Sequence, residues 1–142
     1  MSGPDPAKLK LLEAILCRAA EDVGDLTVPA MTLFYDRHPQ AREVFERHGA
    51  GKREALEAEM VENALYSVMT WLERPTEIAI MFYGSVPHHR QTLQVGPDWY
   101  RGLIDSVIDV VAGTVPACSA DEVALVREIS AGLQAIIAEA TG

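Results

Sequence analysis

The amino-acid sequence predicts an all-α fold of about seven helices in one domain, residues 1–142. Three observations carry this. Apolar residues recur at intervals of three and four along nearly the whole chain, with no sustained alternation at period two. Prolines and glycines fall between the periodic stretches, leaving short connections. Apolar residues make up 49% of 142, enough for a core without disulfide or metal staples.

The elements follow in order. Pro6 opens a first helix with Leu9, Leu12, Leu16 and Ala19/Ala20 on its inner face, fading by Gly24-Asp25. A second runs to about Arg37 around Met31, Phe34 and Tyr35, with Pro29 near its first turn, where a missing N–H costs little. His38-Pro39 stops it, because a residue before proline is pushed out of the helical region. A short helical piece from Pro39 to Phe45 leads into His48-Gly49-Ala50-Gly51, read as a loop. The long amphipathic stretch from Arg53 to Glu73 places Met60, Val61, Ala64, Leu65, Val68, Trp71 and Leu72 inward. Glu59, Glu62, Asn63 and Thr70 fill its outer side, while Glu57 lies on the inner stripe extended backwards. Pro75 ends it and Thr76 is the expected cap of a fifth helix carrying Ile78, Met81 and Phe82, which Pro87 should distort. After Gly96-Pro97-Asp98 a sixth buries Trp99, Leu103, Val107, Val110 and Val111, closed by Gly113 and Pro116. Ser119 and Glu122 have capping-box spacing before a last helix with Val123, Val126, Ile129, Leu133 and Ile136/Ile137 on one side.

Composition excludes several classes of function. A net charge of -9 disfavours nucleic acid and anionic membranes, which attract clustered Lys and Arg, and suits a soluble protein docking on a basic partner. No apolar run approaches the roughly 20 residues of a membrane span, and the N-terminus lacks the pattern of a secretory signal. A cytoplasmic location with Cys17 and Cys118 as free thiols is the expectation. Their separation rules out a Cys-x-x-Cys redox pair, a zinc knuckle and covalent c-type haem attachment. Neither Glu-x-x-His, a Gly-rich phosphate loop nor Gly-x-Ser-x-Gly occurs, so di-iron, kinase and hydrolase chemistry lack their residues.

What remains is a spacing. Phe45 stands six residues past Pro39, and Val95 six past His89, just before a helix start. In these positions, over most of its length, the chain resembles the globin family, in particular single-domain bacterial globins. The resemblance implies a globin-like fold around a haem pocket holding haem b (iron protoporphyrin IX) non-covalently. It implies His89 as the proximal iron ligand, Phe45 on the haem face, Val95 on the proximal face and Tyr100 against the porphyrin edge. Arg47 falls where many globins place a basic residue near a propionate. His88 points about 100° from His89 on a helix, so only one reaches the iron; His88 is then a propionate or surface contact.

On the distal side two registers stay open. Vertebrate-type spacing places Met60 over the iron with Val61 and Ala64 beside it; flavohaemoglobin-type spacing places Glu57 there and turns Glu62 inward, at the cost of a buried charge. The first keeps Glu62 outside. Met31 and Phe34 of the second helix face the same pocket, with Tyr35 a turn beyond Met31. The expected function is binding of a diatomic gas (O2, NO or CO). Any enzyme activity would be NO dioxygenase-like or peroxidase-like, with an external reductase or reductant. Two alternatives stand beside it: a six-coordinate haem with Met60 as sixth ligand, serving gas or redox sensing or electron transfer, and a haem-free interaction module. The residues leave the physiological ligand and the oligomeric state open.

Overall fold

A computed structural model describes residues 5–49, 51–91 and 97–141, with the side chains of 87–91, 97 and 141 outside the description. The described residues form seven helices: α1 (Pro6–Val23), α2 (Thr27–Arg37), α3 (Ala41–Gly49), α4 (Arg53–Thr70), α5 (Pro75–Gln91), α6 (Pro97–Ala112) and α7 (Ala120–Thr141). The fold is all-α, with no strand among these residues.

Local chemistry sets most boundaries. Asp5 caps α1 by accepting from the Ala7 amide at 2.9 Å, with Pro6 in the first helical position. Gly24 ends α1 at φ 75°, a left-handed conformation that glycine adopts without steric cost. Asp25 accepts from the Thr27 amide at the start of α2. The His38 amide closes α2 on the Phe34 carbonyl at 2.8 Å before Pro39 breaks the pattern.

Several boundaries differ from those expected. α3 begins at Ala41 and continues through His48-Gly49, so the four-residue stretch read as loop is partly helix; Ala50 lies outside the described residues. α4 stops at Thr70, and Trp71 to Glu73 form a turn closed by the Arg74 amide on the Thr70 carbonyl at 2.8 Å. Pro75 is then the first residue of α5 rather than a terminator, which leaves Thr76 inside the helix instead of capping it. α5 runs past Pro87 to Gln91. The capping box also takes another form. Ser119 Oγ donates to Glu122 Oε2 at 2.6 Å, and Arg18 of α1 grips the same carboxylate at 2.7 and 3.3 Å. A guanidinium outcompetes a backbone amide for that carboxylate because both partners are charged.

The core is one continuous apolar cluster drawn from all seven helices. α6 packs against α1, α2, α4, α5 and α7 and buries Leu103, Ile104, Val107, Ile108 and Val111. Ile104 and Ile108 lie beside the stripe expected from the sequence, so α6 is apolar round more of its circumference than that stripe implied. In α1 the fully buried Ile15 completes the inner face, and in α7 Leu125 is buried while Val123 is only half-buried.

Two contacts require glycine. A Cβ at Gly102 would come 2.4 Å from His38 Nε2, and one at Gly132 would come 2.1 Å from the indole of Trp71. Trp71 closes the α4 end against α7 and is a rigid neighbour. Gly132→Ala should therefore lower stability by about 1–3 kcal/mol, read as a fall in denaturant midpoint. The Arg18 and Ser119 contacts hold the Glu122 carboxyl below its ordinary value. A depressed carboxylate contributes stability above its unfolded pKa, about 4.3, and loses it as pH falls through the lower folded value. Glu122→Gln should flatten the slope of stability against pH in that acid window, measured by chemical denaturation.

Candidate functional site

A cavity opens between α4 and the α5–α6 pair, roofed by α2 and α3. It encloses about 160 Å³, with about 740 Å³ of unfilled space once its solvent-open mouth is included. α2 and α3 contribute Phe34 and Phe45, whose rings meet edge to face at 5.9 Å and 60°. α4 contributes Met60, Asn63, Ala64 and Ser67, at spacings of three and four that align one helical face. α5 adds Met81, Phe82 and Ser85; α6 adds Trp99, Tyr100, Leu103 and Ile104.

Polar groups in the walls are mostly engaged. Ser67 Oγ donates to the Asn63 carbonyl of its own helix at 3.1 Å, which lets a serine stand fully buried. Tyr100 Oη donates to Ser85 Oγ at 3.0 Å, and burial raises its phenol above the ordinary value. Asn63 is exposed, so the cavity mouth lies along its side of α4.

Behind Phe45 lies a charged clamp. Tyr35 packs edge-on against Phe45 at 5.9 Å and 87°, and its hydroxyl donates to Glu57 Oε2 at 2.6 Å. Arg53 Nε lies 3.3 Å from the same oxygen, while its terminal nitrogen pairs with Glu46. Burial, and then the bond to Glu57, push the Tyr35 phenol well above its ordinary value. The clamp ties α2, α3 and α4 together outside the cavity.

Of the residues singled out from the sequence, Phe34, Phe45, Met60, Ala64 and Tyr100 line the cavity. Met31 and Val61 are buried in the core but do not line it. Arg47 is exposed on α3. The side chains of His88 and His89, and all of Val95, lie outside the described residues; the backbone of both histidines falls in the last turn of α5. Of the two candidate registers of α4, the structure brings Met60 to the cavity and Glu57 to Tyr35 and Arg53, with Glu62 exposed.

Asn63 was expected on the outer side only, yet it also borders the cavity. Ser67, Met81, Phe82, Ser85, Trp99, Leu103 and Ile104 were not expected at the site. Ser67 continues the spacing of Met60 and Ala64 and was legible by that rule; Ser85 and Trp99 carry no such signal. Among the described residues no three His, Cys, Asp or Glu side chains gather to hold a metal ion. Ligation through one histidine makes no such demand. Among the described residues no helix is long and apolar enough to cross a membrane.

In comparisons with known proteins, no family model, no curated protein and no solved structure matches this chain.

Extra volume at Ala64 would enter open space rather than packed core. Ala64→Leu should cost no more than the roughly 1–3 kcal/mol of a small-to-large change in a packed core, whereas Phe45→Ala, which enlarges the cavity, should cost about 3 kcal/mol or more. Urea unfolding of both variants checks the pair.

Proposed function

We propose that this chain is a haem-binding, globin-like protein, holding haem b non-covalently through His89 and binding a diatomic gas. The observation that carries the reading is the apolar cavity between α4 and the α5–α6 pair. Its lining includes Phe45, Met60, Ala64 and Tyr100, and α5 delivers Ser85 to it one turn before His89. Cofactor sites are mostly apolar clefts of roughly 300–1,000 Å³. The enclosed part alone is smaller than that, so a porphyrin would use the open mouth as well, its carboxylate edge directed to solvent.

When bound, haem supplies one iron position for the histidine and a second for a gas. The chain's own residues do the rest. Phe45, clamped from behind by Tyr35, provides a fixed aromatic wall for a planar ring. Met60 and Ala64 exclude water without offering a hydrogen-bond donor, and the Ser67 hydroxyl is already donated to a backbone carbonyl. The Asn63 amide sits at the exposed mouth. Such a wall discriminates little in favour of oxygen, the gas that draws most on hydrogen-bond donors. A cytoplasmic location, an external reductase for any NO dioxygenase-like or peroxidase-like turnover, and docking of that partner on the acidic surface belong to the same reading.

Met60 at the cavity wall also favours a second reading, in which its thioether is a sixth iron ligand and the protein senses gas or redox state, or carries electrons.

The visible spectrum of protein expressed with haem supplied tests both. A Soret band is expected, and His89→Ala should abolish it while His88→Ala leaves it. A haem-free chain would end the proposal in favour of an interaction module. Sharp, split visible bands in the ferrous protein before gas is added, lost in Met60→Leu, would establish the six-coordinate form. In the five-coordinate case Met60→Gln adds a donor, and oxygen release by stopped flow should slow about tenfold, the worth of one hydrogen bond.

A further inference from the structure

The large apolar side chains exposed among the described residues are not scattered. Four of the six, Tyr66, Met69, Ile80 and Tyr83, lie on the outer sides of α4 and α5. Single exposed apolar residues need no explanation, whereas a group of them rimmed by polar residues marks a contact surface. Two hydrogen bonds join the group across helices. Tyr66 Oη of α4 donates to Glu77 Oε2 of α5 at 2.6 Å, and Tyr83 Oη of α5 donates to Glu139 Oε2 of α7 at 2.8 Å. Ile80 stands three residues from both Glu77 and Tyr83, and Met69 three past Tyr66, so each shares a helix face with its neighbour. Ile80, at 67% exposure, has little cover within its own chain. Beside Tyr83, nothing lies within 4 Å of where a Cβ on Gly84 would stand, which leaves room for another backbone.

The rim is acidic. Glu62 and Glu73 flank Tyr66 and Met69 on α4, while Glu77 and Glu139 hold the two phenols. From Glu62 to Tyr83 the sequence has one cation, Arg74, which lies 3.6 Å from Glu73 and 3.5 Å from Glu77. We propose that this face docks a basic polypeptide segment: two of its Arg or Lys side chains lie on the Tyr66–Glu77 and Tyr83–Glu139 pairs, and an apolar side chain between them packs on Met69 and Ile80. Each pair offers a cation an aromatic ring and a carboxylate together. Because the phenol already donates to the carboxylate, ring and charge are fixed before the partner arrives, which lowers the ordering cost of binding. A second copy of this chain is a poor occupant, since each copy would bring the same excess of carboxylates. None of the four apolar residues lines the cavity, so docking does not depend on what the cavity holds.

Fluorescence anisotropy of a labelled synthetic peptide, an amphipathic helix with Leu flanked by Arg, tests the face. The peptide should bind, and a counterpart with Glu in place of Arg should not. Ile80→Ser should weaken binding about tenfold, the loss of one anchoring side chain. Glu77→Gln with Glu139→Gln keeps an acceptor for each phenol, and should weaken binding about as much while reducing its dependence on salt. Glu13→Gln with Glu21→Gln removes the same charge from exposed positions on α1 and should leave affinity within about twofold, because screening confines the effect of distant surface charges. Circular dichroism confirms that helix content is kept in each variant. Absence of binding, or equal weakening by the α1 pair and the Glu77/Glu139 pair, overturns the docking face. So does a dimer, seen by light scattering, that Ile80→Ser dissolves, since that assigns the face to a second copy.

Discussion

The structure depends on how closely α6 can approach its neighbours. This helix packs against five others, and it reaches α2 at a position where the residue is Gly102 and any Cβ would meet the His38 ring. One turn on, Ser106 is fully buried and returns its hydroxyl to the Gly102 carbonyl at 2.8 Å. Small residues on that face bring two backbones together, and the remaining faces of α6 are free to bury branched apolar side chains against α4, α5 and α7. With α6 in place the other helices have a common surface to close on, and the cavity is the space left where they do not fully close.

That space is bounded by two kinds of wall. One is held by charge: Tyr35, Glu57, Arg53 and Glu46 tie α2, α3 and α4 together behind Phe45. The other is held by neutral hydrogen bonds, Tyr100 to Ser85 and Ser67 to its own helix. The largely buried carboxylates of Glu57 and Glu122 each face an arginine, Arg53 and Arg18, while the cavity-facing Ser67 hydroxyl is satisfied within its own helix. The interior that results is a cavity with mainly apolar walls.

Several features were legible from the sequence because they follow from local rules. The helix count came from periodicity and proline placement, and a short third helix was expected beside Pro39, though it begins at Ala41 and carries Phe45 at its middle. Met60 and Ala64 were readable as a stripe because their spacing is that of one helical face. Other features were not local. Ser85 carries no motif, and its contact with Tyr100 of α6 at the cavity wall is a product of helix packing. Glu57 finds its partner in Tyr35 of α2, twenty-two residues away, which no local spacing announces. Glu122 had the spacing of a capping box, but Arg18, from the opposite end of the chain, took its carboxylate.

The sequence by itself determined that the chain is helical, roughly how many helices it has, and which residue types lie on their apolar faces, because backbone and periodicity rules act within a turn or two. Tertiary packing decided which of those apolar faces meet, and so which side chains surround empty space rather than one another. It also decided the long-range partners of carboxylates such as Glu57 and Glu122, which reach Tyr35 and Arg18 only once the helices have packed. Those partners are fixed by how the helices cross, which no local pattern encodes.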